Sequence, residues 1–278
     1  MARPGRPALT QRPQLPDITS TRSPRVAAVR RLSRRSARAA ERRFVVEGPQ
    51  SVREALDGLI ELYYEAGRHD DLVAAARRRG VPVAEVTSPV LAAMADTVSP
   101  QGILGIAPLL DVGLETLGPA RLVAVLEAVN DPGNAGTVLR TADAAGADAV
   151  VLTDGSVDPH NAKCVRATAG SLWHLPVVSG PPTQEAVRRL RALGLQVLAT
   201  TAAGQDDLDD LADGGVLADP TAWLFGPEAA GLAEDTLALA DRTVRIPMRG
   251  RAESLNLSAA AAVCLYASAR AHRASASC

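Results

Sequence analysis

Short apolar runs alternate along the chain with stretches in which apolar residues recur at helical spacing. In the first part of the chain such runs predict strands at 44–47, 59–64, 83–86 and 102–107. The stretches between them predict helices at 49–57, 69–79 and 89–96. Strands that alternate with helices are typical of a layered α/β domain, so we expect one here.

A second region of the same kind covers residues 121–270. It opens with a continuous apolar run that ends in a polar loop at Asn130, which is typical of a strand buried on both faces. Further strands are predicted at 146–152, 175–178, 196–201, 221–225 and 243–247. Helices are predicted at 137–145, 184–193, 231–240 and 255–272. The sequence therefore predicts a second α/β domain.

Segments without periodicity set the domain boundaries. Residues 1–20 place prolines among arginines and glutamines and have no apolar period, which predicts a disordered basic tail. Residues 109–120 contain Gly113, Gly118 and Pro119 and predict a linker. The two domains are accordingly expected at 21–108 and 121–273.

Charge is distributed unevenly along the chain. The whole protein carries a net charge of −1, but residues 1–43 hold twelve arginines and only two acidic residues. Val26, Val29 and Leu32 recur at helical spacing between Ser23 and Arg43, so one arginine-covered helix is predicted there. The charge asymmetry suggests contact with a nucleic acid or a membrane, and the helix surface suits a phosphate backbone. The residues assigned to that contact are Arg30, Arg31, Arg34 and Arg35.

Two other interpretations of the basic end remain open. It could be a solvated charge run, or an arginine-rich, acid-poor organelle transit peptide. The transit interpretation is disfavoured because an apolar strand begins at Phe44, directly after the predicted helix.

Composition narrows the class of protein. The chain has 278 residues, 47% of them apolar and 22% charged, which is typical of a globular protein. No apolar run approaches the roughly 18 residues that a membrane span needs, so a soluble, cytoplasmic protein is expected. Cys164, Cys264 and Cys278 are odd in number and widely spaced, which favours a reducing compartment over a disulfide framework. No metal site is predicted, because no cluster of ligand residues has suitable spacing.

Known phosphate-binding fingerprints are missing. No GxGxxG motif with a following acid, and no GxxxxGK[ST] loop, occurs after any predicted strand. The first domain also lacks any cluster of His, Cys and acidic residues, so it is interpreted as a binding module. What remains is a set of three loops, each of which follows a predicted buried strand, at 130–136, 225–231 and 246–256. Ligands in open α/β sheets bind beyond the carboxyl ends of strands, so these loops are expected to converge.

Taken together, the three loops closely resemble the signature motifs of the SpoU/TrmH branch of the SPOUT RNA methyltransferases. The resemblance covers about 150 residues, and its motif residues are Asn130, 133–136, 140–142, Gly226, Glu228, Gly231, 246–248 and 253–256. The region 21–107 also resembles the ribosomal-protein-like substrate-binding domain that many of these enzymes carry at the N-terminus. That second similarity is based on the layout and on residues 44–48.

The resemblance implies a fold, a cofactor and an assembly. It implies a parallel sheet tied into a deep trefoil knot, S-adenosyl-L-methionine bound in that knot, and a homodimer. Gly226, Ile246 and Leu255 match the positions at which the family contacts the cofactor. These residue types suit that role, since glycine permits close backbone approach and the two aliphatic side chains offer apolar walls for adenine.

The resemblance also implies the catalytic residues. Arg140 matches the catalytic arginine of the family, and Asn130, Glu228, Ser254 and Asn256 match other positions near the methyl-transfer site. A guanidinium is a poor general base, so the preferred hypothesis is that Arg140 clamps a phosphate and stabilises the developing oxyanion. The residue types also allow purely structural roles. Arg140 could form a surface ion pair with Asp143, Asn130 could form a turn, and Ser254 and Asn256 could cap a helix.

Lys163 and Arg166 follow a predicted loop and are further positions at which RNA phosphate contact is expected, whereas His160 and His174 are interpreted as ordinary. The predicted function is S-adenosylmethionine-dependent methylation of a ribose 2′-hydroxyl in RNA. Ribosomal RNA is preferred to tRNA because an added binding domain suits a folded RNA site. A non-catalytic RNA-binding protein on the same fold is the main alternative, and an NAD-type oxidoreductase is a distant one.

Overall fold

The computed structural model describes residues 15–227 and 230–275. Within them the chain forms two compact units, the first ending at Pro108 and the second starting at Leu109. Each unit has a sheet and flanking helices, which confirms the predicted α/β class. Across the described residues, no helix has both the length and the apolar content needed to cross a membrane.

The first unit is built on a four-stranded mixed sheet. Its strands are β1 Arg43–Glu47, β2 Glu61–Tyr64, β3 Val83–Glu85 and β4 Ile103–Pro108. Their order in the sheet is β1-β4-β2-β3, with β4 antiparallel to both neighbours and β3 parallel to β2. All four strands overlap the predicted apolar runs.

Five helices surround this sheet: α1 Pro24–Arg31, α2 Arg35–Glu41, α3 Pro49–Ala55, α4 Asp70–Arg78 and α5 Ser88–Met94. The predicted stripe on α1 is real, because Val26, Val29 and Leu32 are buried in a core cluster. In that cluster they join Val90 and Leu91 of α5. The basic end is therefore part of the folded unit from α1 onward.

The prediction of a single helix from Ser23 to Arg43 is wrong. The chain forms α1 and α2 with a break between them, and Arg42 adopts a left-handed conformation with φ 52° before β1. Arg38 is buried and its Nη1 donates hydrogen bonds to the carbonyls of Leu32 and Ser33, at 2.8 and 2.9 Å. This arginine therefore satisfies backbone groups at the break and is not part of a phosphate-facing surface.

The predicted disordered tail falls partly outside the described residues, because residues 1–14 are not among them. For residues 15–20 the prediction is wrong. The Leu15 N–H donates to the Val83 carbonyl at 3.1 Å, and Ile18 is buried and forms a parallel bridge with Val86. Burial of Ile18 and pairing with the sheet edge order this segment, which its polar composition did not indicate.

The second unit contains one eight-stranded sheet in which every pairing is parallel. Its strands are β5 Asp111–Val112, β6 Leu122–Leu126, β7 Ala149–Leu152, β8 Val177–Ser179, β9 Gln196–Thr200, β10 Asp206–Asp207, β11 Thr221–Phe225 and β12 Arg242–Arg245. The order is β10-β12-β9-β11-β6-β7-β8-β5. β6 and β11 lie at its centre and are wholly buried, as continuous apolar runs predict.

Six helices belong to this unit: α6 Pro132–Ala144, α7 Ala162–Thr168, α8 Thr183–Ala192, α9 Leu208–Asp213, α10 Glu234–Leu237 and α11 Leu257–Ser275. α6 begins at Pro132, five residues before the predicted start, because Asp131 caps it and proline is well tolerated in a first turn. The helix predicted at 231–240 is reduced to α10. α7 and α9 were not predicted.

The segment 109–120 is not a free linker. β5 pairs with β8, and Leu114 and Leu117 are buried in the core of the second unit. Glycine and proline in this segment suggested a linker, but its two leucines bury apolar surface, which favours an ordered edge of the sheet.

Candidate active site

The predicted loops leave one edge of the parallel sheet. β6 and β11 run in register, with Leu126 opposite Phe225, so the first two loops start side by side. β9 lies between β11 and β12 in the sheet. The third loop, which follows Arg245 of β12, therefore starts two strands away from the second loop, which follows β11. Parallel strands present their carboxyl ends at the same edge, which is where α/β proteins bind ligands.

The first loop is fixed by a neighbouring loop. Ser156 Oγ donates to the Leu126 carbonyl at 3.1 Å and accepts the Val129 N–H at 3.2 Å. Ala128 between them has φ 48°, a conformation that costs free energy for a residue with a Cβ. These contacts hold the backbone just before Asn130, whose side chain is exposed.

The start of α6 carries an ion pair. Asp131 Oδ1 accepts the Asn134 N–H at 2.8 Å, and Asp131 Oδ2 lies 2.9 Å from Lys163 Nζ of α7. The hydrogen bond from Lys163, followed by the one from the Asn134 backbone, holds the pKa of Asp131 below its ordinary value. Lys163 is exposed and ties α7 to the first loop.

The first and third loops meet through side chains. Asn134 Oδ1 accepts hydrogen bonds from Asn256 Nδ2 at 3.3 Å and from Ser258 Oγ at 3.1 Å. Asn256 also caps α11, because its Oδ1 accepts the Ser258 N–H at 2.9 Å. Capping and contact with the first loop therefore occur in the same residue, and neither excludes the other.

The second loop depends on a glycine. A Cβ on Gly226 would lie 2.8 Å from the carbonyl carbon of Gly231 and from the nitrogen of Leu232. The loop folds back on itself so closely that no side chain fits there, and the Gly231 N–H donates to the Pro227 carbonyl at 2.8 Å. Glu228 lies outside the described residues.

The third loop presents apolar side chains. Ile246 is half-buried, Leu255 is 38% exposed and Met248 is 37% exposed. These apolar side chains, together with the glycine backbone at Gly226, are residue types that suit the adenosyl part of S-adenosylmethionine, which needs an apolar wall and main-chain contacts. Ser254 is exposed in the same loop.

Arg140 is exposed on α6, less than two turns beyond Asn134. The predicted alternative, a pair with Asp143, is not formed, because Asp143 Oδ2 lies 2.7 Å from His174 Nδ1. Among the described residues, no ion pair to Arg140 is present, so its guanidinium is available to a ligand.

The RNA-binding residues predicted from sequence are on both units. Arg30, Arg31, Arg34 and Arg35 are all exposed on the first unit. Arg31 Nη2 lies 3.5 Å from Glu41 Oε1, an exposed pair that contributes little to stability. On the second unit, Arg166 of α7 is half-buried, one helical turn after Lys163.

A fourth loop at this edge was missed. Residues 201–204 follow β9, between the second and third loops, and a Cβ on Gly204 would lie 2.4 Å from the Arg245 nitrogen. Its Gly-containing sequence was the only available signal. Glu127, at the end of β6, was also missed; burial, followed by the nearby Asp154 carboxylate, raises its pKa.

Other conspicuous residues have structural roles. His160 is buried; its Nε2 accepts the Leu110 N–H at 3.0 Å and its Nδ1 lies 3.2 Å from Asp158. His160 and His174 thus both have carboxylate partners, which sequence spacing did not reveal. Cys164 and Cys264 are buried free thiols, and burial raises the pKa of Cys164 to about 12. Within the described ranges, no group of three His, Cys or acidic residues is arranged to hold a metal ion.

The second unit is thus an α/β domain whose candidate cofactor-site loops lie at the carboxyl edge of a parallel sheet. Residues 121–266 match the SpoU rRNA methylase family, and residues 23–105 match the MRM3-like substrate-binding domain. The chain belongs to the SpoU rRNA methylase family, which confirms the resemblance found in the loops.

Two relatives match the chain along most of their length. The chain is 32% identical over 250 residues to the 23S rRNA (guanosine(2553)-2′-O)-methyltransferase RlmP of Bacillus subtilis, covering 90% of this chain and 97% of that protein. It is 32% identical to a 23S rRNA (guanosine-2′-O-)-methyltransferase RlmB of Nitrosomonas europaea, over 80% and 87% of the two chains.

Solved structures agree with these sequence matches. The AdoMet-bound rRNA methyltransferase from Sinorhizobium meliloti is similar with a TM-score of 0.80 and 34% identity, covering 91% of this chain and 97% of that one. The SpoU methyltransferase AviRb from Streptomyces viridochromogenes, in complex with AdoMet, gives a TM-score of 0.80 at 27% identity, covering 91% and 100%.

Proposed function

We propose that this protein transfers the methyl group of S-adenosylmethionine to a ribose 2′-hydroxyl of ribosomal RNA. The family match over residues 121–266 and relatives that act on 23S rRNA support this function. The structural observation that carries it is the meeting of the first and third loops at Asn134 and Asn256, beside the glycine-dependent second loop. The match to a substrate-binding domain over 23–105 supports a large, folded RNA over tRNA.

The cofactor site consists of Gly226, Ile246 and Leu255. S-adenosylmethionine, when bound, supplies a methyl carbon already activated by the adjacent sulfonium. Gly226 lets the second loop fold back on itself, since any Cβ there would collide with Gly231 and Leu232, and it is assigned to main-chain contact with the cofactor. Ile246 and Leu255 supply the apolar contacts for adenine and exclude water from it.

Arg140 acts on the RNA. Its guanidinium stays charged at any physiological pH, so it does not take the proton of the hydroxyl, which is released to solvent water as the methyl group is transferred and the cofactor leaves as the neutral thioether. It instead holds the phosphate beside the target ribose through two parallel hydrogen bonds and stabilises the oxygen as negative charge develops. Its exposure and lack of an ion pair within the described residues support this role.

The remaining catalytic residues align the hydroxyl. Asn256 is oriented by Asn134 and by its capping bond, so one amide is fixed at the junction of two loops. Ser254 and Asn130 are exposed close to that junction in sequence and offer a hydroxyl and an amide to the ribose. Glu228 is assigned to an acceptor role toward Arg140 or toward a loop of the second copy in the proposed dimer. Correct alignment is the main contribution expected of these groups.

The domain is proposed to be knotted and dimeric. β9 lies between β11 and β12 in the sheet, so the connection from β11 to β12 passes over β9, an arrangement that is compatible with the knot implied by the family. α11 carries exposed apolar side chains, Val263 at 43% and Tyr266 at 52%, in one stripe with Ala259. This face is suited to an identical face on a second copy, because a helical apolar stripe is stable in water only when covered.

RNA binding is assigned to basic residues on each unit, all of them exposed except the half-buried Arg166. Arg30, Arg31, Arg34 and Arg35 neutralise backbone phosphates from the first unit, and Lys163 and Arg166 do so from the second. The cytoplasm, where bacterial ribosomal RNA is modified, is the proposed location.

The test is to map 2′-O-methylation across total RNA from cells with and without the gene. Loss of one mark in ribosomal RNA is expected, and its restoration by wild type but not by an Arg140→Ala variant would tie the mark to this site. Loss of a mark in tRNA instead would show that the substrate is tRNA and not ribosomal RNA. An unchanged map, in cells that contain the RNA, would favour the non-catalytic alternative.

A further inference from the structure

The first unit contains a cavity of about 390 Å³ that no part of the proposed methyl-transfer site uses. It lies between α1 and one end of the sheet, and it is open to solvent. Val29 and Leu32 of α1 and Ile106 of β4 form an apolar wall. Its volume is within the range of about 300 to 1,000 Å³ in which small ligands bind.

The polar lining combines two cations with two anions. Arg25 and Arg43 line the cavity together with Glu41 and Glu61. This balance disfavours a phosphate, which would be repelled by the carboxylates. The two kinds of charge favour a neutral ligand with hydrogen-bond acceptors on one edge, which would face an arginine, and donors on the adjacent edge, which would face a glutamate.

One arginine in this cavity has an unused donor. Nη1 of Arg25 is buried and has no hydrogen-bond partner among the described residues. The nearby Ser23 Oγ accepts the Arg25 backbone N–H at 3.3 Å and makes no hydrogen bond to Nη1. A buried donor without a partner costs free energy. A ligand acceptor in the cavity would therefore be favoured, and a small rotation of the guanidinium would bring Nη1 to it.

The carboxylate of Glu61, which also lines the cavity, is held in place by a hydrogen bond. The Tyr63 hydroxyl donates to Glu61 Oε2, and burial, followed by this hydrogen bond, raises the pKa of Tyr63, so the hydroxyl keeps its proton. Glu61 Oε1 has no hydrogen-bond partner within the described part of the chain. Arg25 and Arg43 are both close enough to Tyr63 to act on it electrostatically.

We infer that this cavity receives an unstacked guanine base of the RNA substrate, distinct from the methylated nucleotide's own reaction site. Guanine presents two acceptors, O6 and N7, which match a guanidinium fork. Its N1–H and N2–H donors match a carboxylate, and its apolar face suits Val29 and Ile106. Proteins that read RNA sequence use unstacked bases in this manner. The inference depends on RNA being the substrate.

Conservative variants separate base recognition from phosphate attraction. Arg25→Lys keeps the charge but loses the fork, so affinity for 23S ribosomal RNA transcribed in vitro should fall roughly ten- to a hundred-fold, with an unchanged slope of log affinity against log salt. The matched control is Arg22→Lys at an exposed neighbour, which should bind like wild type. Melting temperature and S-adenosylmethionine affinity check that both variants fold. Wild-type affinity in Arg25→Lys would overturn the inference.

Cross-linking identifies the base. p-Benzoylphenylalanine in place of Ala28, which lines the cavity, should cross-link to the same transcript at a guanosine, and guanosine monophosphate should compete better than adenosine monophosphate. Cross-links only to other nucleotides would overturn the guanine assignment. Binding of guanosine monophosphate to the protein, measured by calorimetry, without any RNA cross-link would overturn RNA as the source of the base.

Methyl transfer from labelled S-adenosylmethionine is measured on the same transcript. If wild type methylates the RNA while Arg25→Lys binds normally, only the cavity assignment fails. If wild type neither binds nor methylates ribosomal RNA, the proposed function fails and the cavity assignment fails with it.

Discussion

Asn134 and Asn256 are separated by 122 positions in the sequence, yet Asn256 Nδ2 donates to Asn134 Oδ1 at 3.3 Å. Asn134 is in the first turn of α6 and Asn256 caps α11. This contact joins the first and third loops and fixes an amide at the proposed methyl-transfer site. It also gives each loop a role in positioning the other.

Asn256→Ala should lower turnover more than tenfold. Its loss of the cap should cost only about 1 kcal/mol, or a few degrees in melting temperature. Asn256→Asp is the matched variant, since it keeps the oxygen that caps α11 but lacks the donor to Asn134. We expect normal melting and low turnover for the aspartate variant. Normal turnover in Asn256→Asp would assign the residue to capping alone.

Gly226→Ala should weaken S-adenosylmethionine binding at least tenfold. The added Cβ would lie 2.8 Å from the backbone of Gly231 and Leu232, so the second loop must move. Gly118→Ala is the control, because nothing lies within 4 Å of a Cβ there. Calorimetry on both variants checks the prediction, and equal affinities would remove Gly226 from the cofactor site.

Arg140→Lys should reduce the rate of methyl transfer by about a hundredfold. Lysine keeps the positive charge but lacks the planar fork that binds a phosphate at two points. Since Arg140 is exposed, the melting temperature should not change. Arg188→Lys, at an exposed position on α8, is the control for arginine replacement. Single-turnover rates near wild type in Arg140→Lys would contradict the clamp.

Arg30→Gln combined with Arg34→Gln should flatten the salt dependence of RNA binding. Each lost phosphate contact lowers the slope of log affinity against log salt concentration by about 0.7 to 0.9, so the double substitution should lower the magnitude of that slope by roughly 1.5. Arg53→Gln with Arg78→Gln removes two exposed charges elsewhere on the first unit and should leave the slope near wild type. Point substitutions are used because deleting the basic N-terminal segment would also remove Val26 and Val29 from the core of the first unit. Equal slopes for the two pairs would refute this surface.

Glu127→Gln should stabilise the protein at neutral pH. Burial and Asp154 raise the pKa of Glu127 in the folded state, so the folded protein binds its proton more tightly than the unfolded chain. The wild type therefore loses stability as pH rises from the ordinary glutamate pKa through this raised value. Thermal melts of both proteins should differ most at neutral pH and converge toward about pH 4, below which Glu127 is protonated in both states. A constant difference across pH would contradict this account.

The strands were predictable where burial is complete. β6 and β11 are wholly buried and mostly apolar, which is typical of a central strand in a parallel sheet. β10 was not predictable, because Asp206 and Asp207 carry no apolar signal and form a strand only by pairing with β12. The break between α1 and α2 was missed for a similar reason, since the contacts of Arg38 that satisfy it are local in space but invisible in periodicity.

The site was only partly predictable. The loop residues Gly226 and Asn256 were identified because their motifs have specific residue types in a fixed order. Gly204 and Ser258 were not, because their importance lies in what they approach: the Arg245 backbone and the Asn134 side chain. His174 shows the same limit, since its partner Asp143 is 31 positions away.

The sequence by itself determined the alternation of strands and helices, the three loops and the basic surface, because hydrophobic period and loop residue types are local properties. The tertiary structure decided which loops meet, because parallel pairing brings the ends of β6, β11 and β12 to one edge regardless of their distance along the chain. It alone brought Arg25 and Glu61 to one cavity, since their encounter depends on α1 packing across the sheet.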